Sequence, residues 1–115
     1  MFNFKIKGRP HFNAKRTTVD GINFDSLTEA EYYKMLKMDP DVIHIDCHCF
    51  LTLAGGVRLN VDFIVYYKDS SVEVVEVKGG LIKPDFKRLR QLFDQTHPLA
   101  PMKVMQKKNK KWNQI

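Results

Sequence analysis

From Val57 to Val65 the chain alternates, with Val57, Leu59, Val61, Phe63 and Val65 apolar and Arg58, Asn60 and Asp62 between them. A period of two predicts a strand with one buried face, from which Asp62 points away. A second run is carried by Val72, Val74, Val75 and Val77, and only Glu76 and Lys78 interrupt it near its end. Those two lie two residues apart and share a strand face. If the short link Lys68–Ser71 closes an antiparallel hairpin, the far ends of the two runs become neighbours and Asp62 comes close to Glu76. A third run, Val42 to Leu53, also alternates: Ile43, Ile45, Cys47, Cys49, Leu51 and Leu53 on one face, His44, Asp46, His48, Phe50 and Thr52 on the other. Ala54-Gly55-Gly56 turns it into the Leu59 run.

Elsewhere the period lengthens to that of a helix. Ser26 followed by Glu29 has the spacing of a capping box, and Leu27, Ala30, Tyr33 and Leu36, joined by Tyr32, supply an apolar face. Asp39-Pro40 ends this helix because proline cannot continue it. A second helix starts at Pro84-Asp85, carries the stripe Phe86, Leu89, Leu92 and Phe93, and stops before His97-Pro98. Ahead of both helices, Asp20-Gly21 between β-formers suits a two-residue type I′ hairpin over Thr17–Phe24. Met102 to Gln106 reads as a further short strand. The expected fold is α/β (α+β): a helix, a three-strand meander, a helix and a strand in a mixed sheet.

At 115 residues the chain has room for one modest core. Residues 17–106 are read as that single domain, with 1–16 as a basic N-terminal arm and 107–115 as a basic C-terminal tail. No apolar run approaches the roughly 20 residues of a membrane span, and Met1–Pro10 lacks the central apolar segment of a secretory signal. A soluble intracellular protein with no membrane partner is expected.

The net charge of +6 favours an anionic partner, nucleic acid before membrane. Lys5, Lys7, Arg9, Lys15 and Arg16 load one end, and Lys103, Lys107, Lys108, Lys110 and Lys111 the other. Phe2, Phe4, Phe12 and Trp112, interleaved with this charge, suit contact with bases. Lys87 and Gln91, one turn apart on the second helix, could face a phosphate or lie on a solvated face.

Acids are almost never fully buried without a partner, so Asp62 and Glu76 in such apolar strands need a reason. A hard divalent cation between two carboxylates, with an ammonium beside it, supplies one, and the chemistry it implies is hydrolysis of a phosphodiester. Glu29 has two competing roles, capping the helix or reaching this site as a third carboxylate. Zinc is not expected: Cys47 and Cys49 fall on the face opposite the histidines, and the C-x₂-C spacing is absent. Two thiols so close on one strand would make a strained disulfide, so reduced cysteines are expected.

An acid on the first helix, Asp62 on the second strand and Glu76-Val77-Lys78 on the third resemble the PD-(D/E)xK nuclease superfamily. Val19–Ala30, Val61-Asp62-Phe63 and Val75–Gly79 are similar to a family of small phage-encoded nuclease-like proteins, and to phage junction-resolving endonucleases of the endonuclease I type. The resemblance spans roughly Thr17 to Pro98 and implies a restriction-endonuclease-like core. It implies Glu29, Asp62, Glu76 and Lys78 as catalytic residues. It implies a metal held by Asp62, Glu76 and the Val77 carbonyl, with Glu29 near them. Val61 stands where the superfamily's name has proline. Mg²⁺ is the implied cofactor, with Mn²⁺ able to substitute, and branched DNA the implied substrate. The setting implied is the cytoplasm of a bacterial host, and a homodimer follows if two strands are cut symmetrically. The rival readings are a non-catalytic DNA-binding or protein-interaction module on the same fold, and a small structural or inhibitory phage protein.

Overall fold

The computed structural model describes residues 16–80 and 82–115. Lys5, Lys7, Arg9 and Lys15, and the aromatic residues Phe2, Phe4 and Phe12, lie outside the described residues. Strands β1 (Thr17–Val19) and β2 (Ile22–Phe24) form the expected small hairpin. Asp20 and Gly21 take φ of 54° and 77°, the left-handed pair a type I′ turn requires. The hairpin is tied to the next element, because Tyr33 donates its hydroxyl to Asp20 at 3.0 Å and Phe24 is fully buried beside the Tyr33 ring.

Helix α1 (Leu27–Met38) opens on Ser26, whose Oγ accepts the Glu29 amide at 3.1 Å. It buries Thr28, Ala30, Tyr32, Tyr33 and Leu36. Thr28, Tyr32 and Leu36 repeat at one-turn spacing, and this rotation turns Leu27, expected on the buried face, outward to 39% exposure.

A five-stranded mixed sheet has the order β3 (Val42–Thr52), β4 (Arg58–Tyr67), β5 (Val72–Lys78), β6 (Lys103–Lys108), β7 (Lys111–Gln114). β5 and β6 pair in parallel, with α2 (Pro84–Thr96) as the crossover, and the other neighbours are antiparallel. The chain is therefore α+β. Val75 and Val77 pack with Tyr32, Tyr33 and Leu36 of α1 in one apolar cluster, while Val74 packs with Phe86 and Phe93 of α2 in another. Since neighbouring strand residues point to opposite faces, the two helices cover opposite sides of the sheet. None of the described helices is long and apolar enough to cross a membrane.

Two further expectations are corrected. Residues 107–115 are not a free tail: β6 continues to Lys108, and β7 folds back on it through a turn in which Asn109 and Lys110 have φ of 52° and 63°. The hairpin is anchored by tertiary contacts, with Trp112 edge-on to Tyr32 at 5.1 Å and Lys107 bonded to Glu31 of α1 at 2.6 Å. Trp112 is therefore a packing residue.

The alternation of β3 is also broken twice. A register shift between Val42 and His44 leaves Ile43 64% exposed. His48 then takes φ 56° in mid-strand. Cys47 joins the α1 cluster and Cys49 the α2 cluster, so the two thiols do not share a face as expected. The same change of side occurs across the ladder, where Phe63 belongs to the α1 cluster and Val61 to the α2 cluster. Cys47 pairs with Phe63 and Cys49 with Val61, which sets His48 opposite Asp62 at the crossing point.

Candidate active site

β4 and β5 pair from Tyr66↔Val72 to Phe63↔Val75, where their paired register ends. Beyond it, side chains take over from the backbone ladder. Glu76 Oε1 accepts the Asp62 amide at 2.8 Å, and Asp62 Oδ2 accepts the Val77 amide, also at 2.8 Å. Each carboxylate thus satisfies an N–H on the opposite strand that would otherwise be buried without a partner. Lys78 follows on the same face as Glu76, with Nζ 3.3 Å from Glu76 Oε2 and 4.0 Å from the centre of the Phe86 ring. The apolar ring and the carboxylate together fix the ammonium, which keeps 28% exposure.

Glu29 enters from the opposite side of the sheet. Its amide donates to the capping Ser26 Oγ, while its side chain lies with His48 and Asp62: one ligand atom from each falls within 4.8 Å of the other two. Capping and reaching the site do not compete, because the cap uses only the Glu29 amide. Glu76 stands outside this trio and joins it through the Asp62 backbone. Glu29 Oε1 and His48 Nε2 are sealed from solvent and have no hydrogen-bond partner.

The electrostatics follow from this crowding. Glu29 is pushed up from its ordinary 4.5 to about 8, first by burial and then by the charges of Asp62, Asp25 and Glu76, with Lys78 opposing. Burial, then the Asp62 charge, lifts Glu76 from 4.5 to about 7 against the pull of Lys78. Asp62 is also raised, because burial outweighs the Val77 amide and the Lys78 and His48 neighbours. Three acids that resist ionisation side by side are a site built for added positive charge.

Lys78 and Glu76 open into a cleft of about 490 Å³ also lined by Arg58, Asn60, Lys83 and Phe86. A second cleft of about 520 Å³ shares Ile82 with it and gathers Gly79, Gly80, Lys87, Lys107 and Lys108. Of the cations expected to hold nucleic acid, Lys87, Lys107 and Lys108 are thus brought together in the cleft that adjoins the one holding Glu76 and Lys78. Lys107 is already engaged by Glu31. Lys110 sits in the β6–β7 turn, and Lys111 faces Lys108 across that hairpin. Arg16 pairs with Asp25 at 3.6 Å, away from both clefts. Gln91 is exposed on α2 and lines neither cleft. The Val77 side chain is buried in the α1 cluster, so only its backbone is available to the site.

His48 is the site residue that sequence reasoning missed. Strict alternation assigned it to a polar face with His44 and Asp46, and only an extended backbone keeps that assignment. Histidine enters the left-handed region more readily than most residues, but no glycine or turn residue flags the break.

Over residues 9–48 the chain matches the model of a family described as "Protein of unknown function (DUF1064)". That segment includes Glu29 and His48 and ends before Asp62, Glu76 and Lys78. No curated protein and no solved structure matches the chain.

Proposed function

We propose that this protein is a metal-dependent endonuclease that hydrolyses phosphodiester bonds in DNA, built on a restriction-endonuclease-like core. The reading rests on one observation. Asp62 and Glu76, both largely buried, cross-bond two parting strands with Lys78 fixed beside them, and Glu29 adds a third acid whose Oε1 is buried without a partner. A pure DNA-binding surface gains nothing from acids that repel phosphate, whereas a cation turns the same acids into a phosphate site.

Asp62 and Glu29 would hold the cation, with Glu76 and the Val77 backbone at its margin. Carboxylates whose ionisation is opposed by burial and by one another fit a divalent ion, which would favour their charged form. When bound, such an ion lowers the pKa of water and offsets charge on phosphate oxygens. Lys78, held by Glu76 and Phe86, orients a water or a phosphate oxygen at the cleft mouth. Glu76 holds that ammonium in place and ties the Asp62 backbone to β5. Lys83, Lys87 and Lys108 line the adjoining clefts and suit the DNA backbone. Mg²⁺ as cofactor, branched DNA as substrate and a homodimer as the cutting unit belong to the same proposal and rest on resemblance.

The test is cleavage of labelled four-way junction, flap, nicked and linear DNA with Mg²⁺, Mn²⁺ or EDTA, by wild type and Lys78→Ala. Metal-dependent cutting by wild type is expected, reduced about 10²- to 10⁴-fold in the variant with DNA binding largely kept. Tight, salt-sensitive binding without cutting of any substrate would replace the enzyme with a binding module.

A further inference from the structure

We infer that His48 is a metal ligand, completing a Glu29–His48–Asp62 site whose nitrogen donor selects a first-row transition ion such as Mn²⁺ over Mg²⁺. The inference rests on the metal-dependent reading above but assigns a residue and an ion preference that the reading does not contain.

Three linked features converge on His48. Its backbone is left-handed at φ 56° in the middle of an eleven-residue strand, where an extended conformation would carry the ring to another face. That conformation sets the side chain opposite Asp62, so that ligand atoms of Glu29, His48 and Asp62 fall within 4.8 Å of one another. The ring then leaves Nε2 sealed from solvent and without a hydrogen-bond partner, beside a Glu29 Oε1 in the same condition.

A purely structural role accounts for less. The His48 ring lies 5.6 Å from Phe24, so packing explains where the ring sits. Packing does not explain why its nitrogen stands among two carboxylates without bonding either. A partly buried histidine with a structural task would turn its sealed Nε2 to one of them, since buried polar atoms are almost always paired. An ion among the three satisfies His48 Nε2 and Glu29 Oε1 together.

Donor chemistry then sets the ion. Mg²⁺ prefers an all-oxygen shell with several waters. Imidazole with two carboxylates is a mixed nitrogen and oxygen set, which suits first-row transition ions. Cys47 and Cys49 flank His48 but pack into separate core clusters, so the site has no thiolate to draw it towards a sulfur-ligated zinc.

The experiment is Mn²⁺ binding to the full chain without DNA, followed by electron paramagnetic resonance, for wild type, His48→Asn and His48→Ala, with Mg²⁺ as competitor. Asparagine tolerates the left-handed backbone, which guards against loss of the fold, and melting in EDTA checks that each variant is folded. Wild type is expected to show nitrogen hyperfine coupling to Mn²⁺, lost in both variants. Mn²⁺ affinity should fall at least about tenfold in the variants, as even groups outside the ligand shell change metal affinity about 10- to 100-fold. Unchanged Mn²⁺ affinity and no nitrogen coupling in wild type would overturn the ligand role of His48 while leaving a metal-dependent site intact. Failure of wild type to bind either ion would overturn this inference and the metal-dependent reading together.

Discussion

Towards its turn, the β4–β5 hairpin pairs backbone to backbone from Phe63↔Val75 to Tyr66↔Val72, and Phe63, Val65 and Val75 are completely buried. Towards its other end the same two strands exchange bonds through the carboxylates of Asp62 and Glu76. Both ends are valine-rich, and both satisfy their amides. The difference is what the satisfying groups can do afterwards. A backbone carbonyl in a ladder is spent, whereas each carboxylate keeps a second oxygen for a cation or an ammonium. Here Glu76 Oε2 already meets Lys78. Opening the ladder by side-chain bonding is how this fold places charge in its core without leaving amides unpaired.

The sharpest break of that contrast falls in the regular half. Phe63→Ala should cost about 3–5 kcal/mol, because Phe63 is fully buried among Phe24, Tyr32 and Tyr33 and its neighbours cannot collapse into the space. A lower urea midpoint at unchanged slope checks it. That loss is a large part of the stability of a chain this size.

In the open half, shape and charge can be separated. Glu76→Ala orphans the Asp62 amide and should cost about 1–3 kcal/mol. Glu76→Gln keeps an acceptor and should cost clearly less, while weakening the hold on Lys78. Equal losses in the two variants would mean that the strand ends do not depend on this bond.

The open half should also give the protein a pH dependence of stability that the regular half does not. Glu29 and Glu76 titrate at about 8 and about 7 in the folded chain, against 4.5 ordinarily. Between those values the folded chain holds protons that the unfolded chain has released, so stability falls as pH rises. The contribution is complete below about 4.5 and gone above about 8. Melting in EDTA should therefore move to lower temperature from pH 5.5 to 8.5, and a divalent cation should restore most at the higher pH. Glu29→Gln should flatten the EDTA profile.

The smallest effect is expected at the sheet's far edge. Lys107→Ala breaks the Glu31 ion pair, which is partly exposed, and should cost no more than about 1 kcal/mol. A larger loss would show that β7 depends on this pair more than on Trp112 against Tyr32.

Much of this was readable because it is local. Alternation and a short link were enough to place Asp62 beside Glu76, since a hairpin leaves few registers that keep valines inside. Ser26, Pro40 and Pro84 marked helix ends through φ and capping preferences that act within a few residues. Asp20-Gly21 announced its turn for the same reason.

Periodicity and neighbours in the chain are enough to give the two helices, the strand runs of β3 to β5 and the juxtaposition of Asp62, Glu76 and Lys78. Tertiary packing makes 107–115 the end of β6, a turn and the returning β7, since Lys107 and Trp112 draw their reason for folding back from Glu31 and Tyr32 on α1. It alone decided how far Glu29 reaches and that Leu27 faces outward, both set by the rotation of α1 on the sheet. His48 needed it most. One left-handed residue reverses the faces of all that follow, and nothing in a polar residue between two cysteines says on which side of the sheet its ring will come to rest.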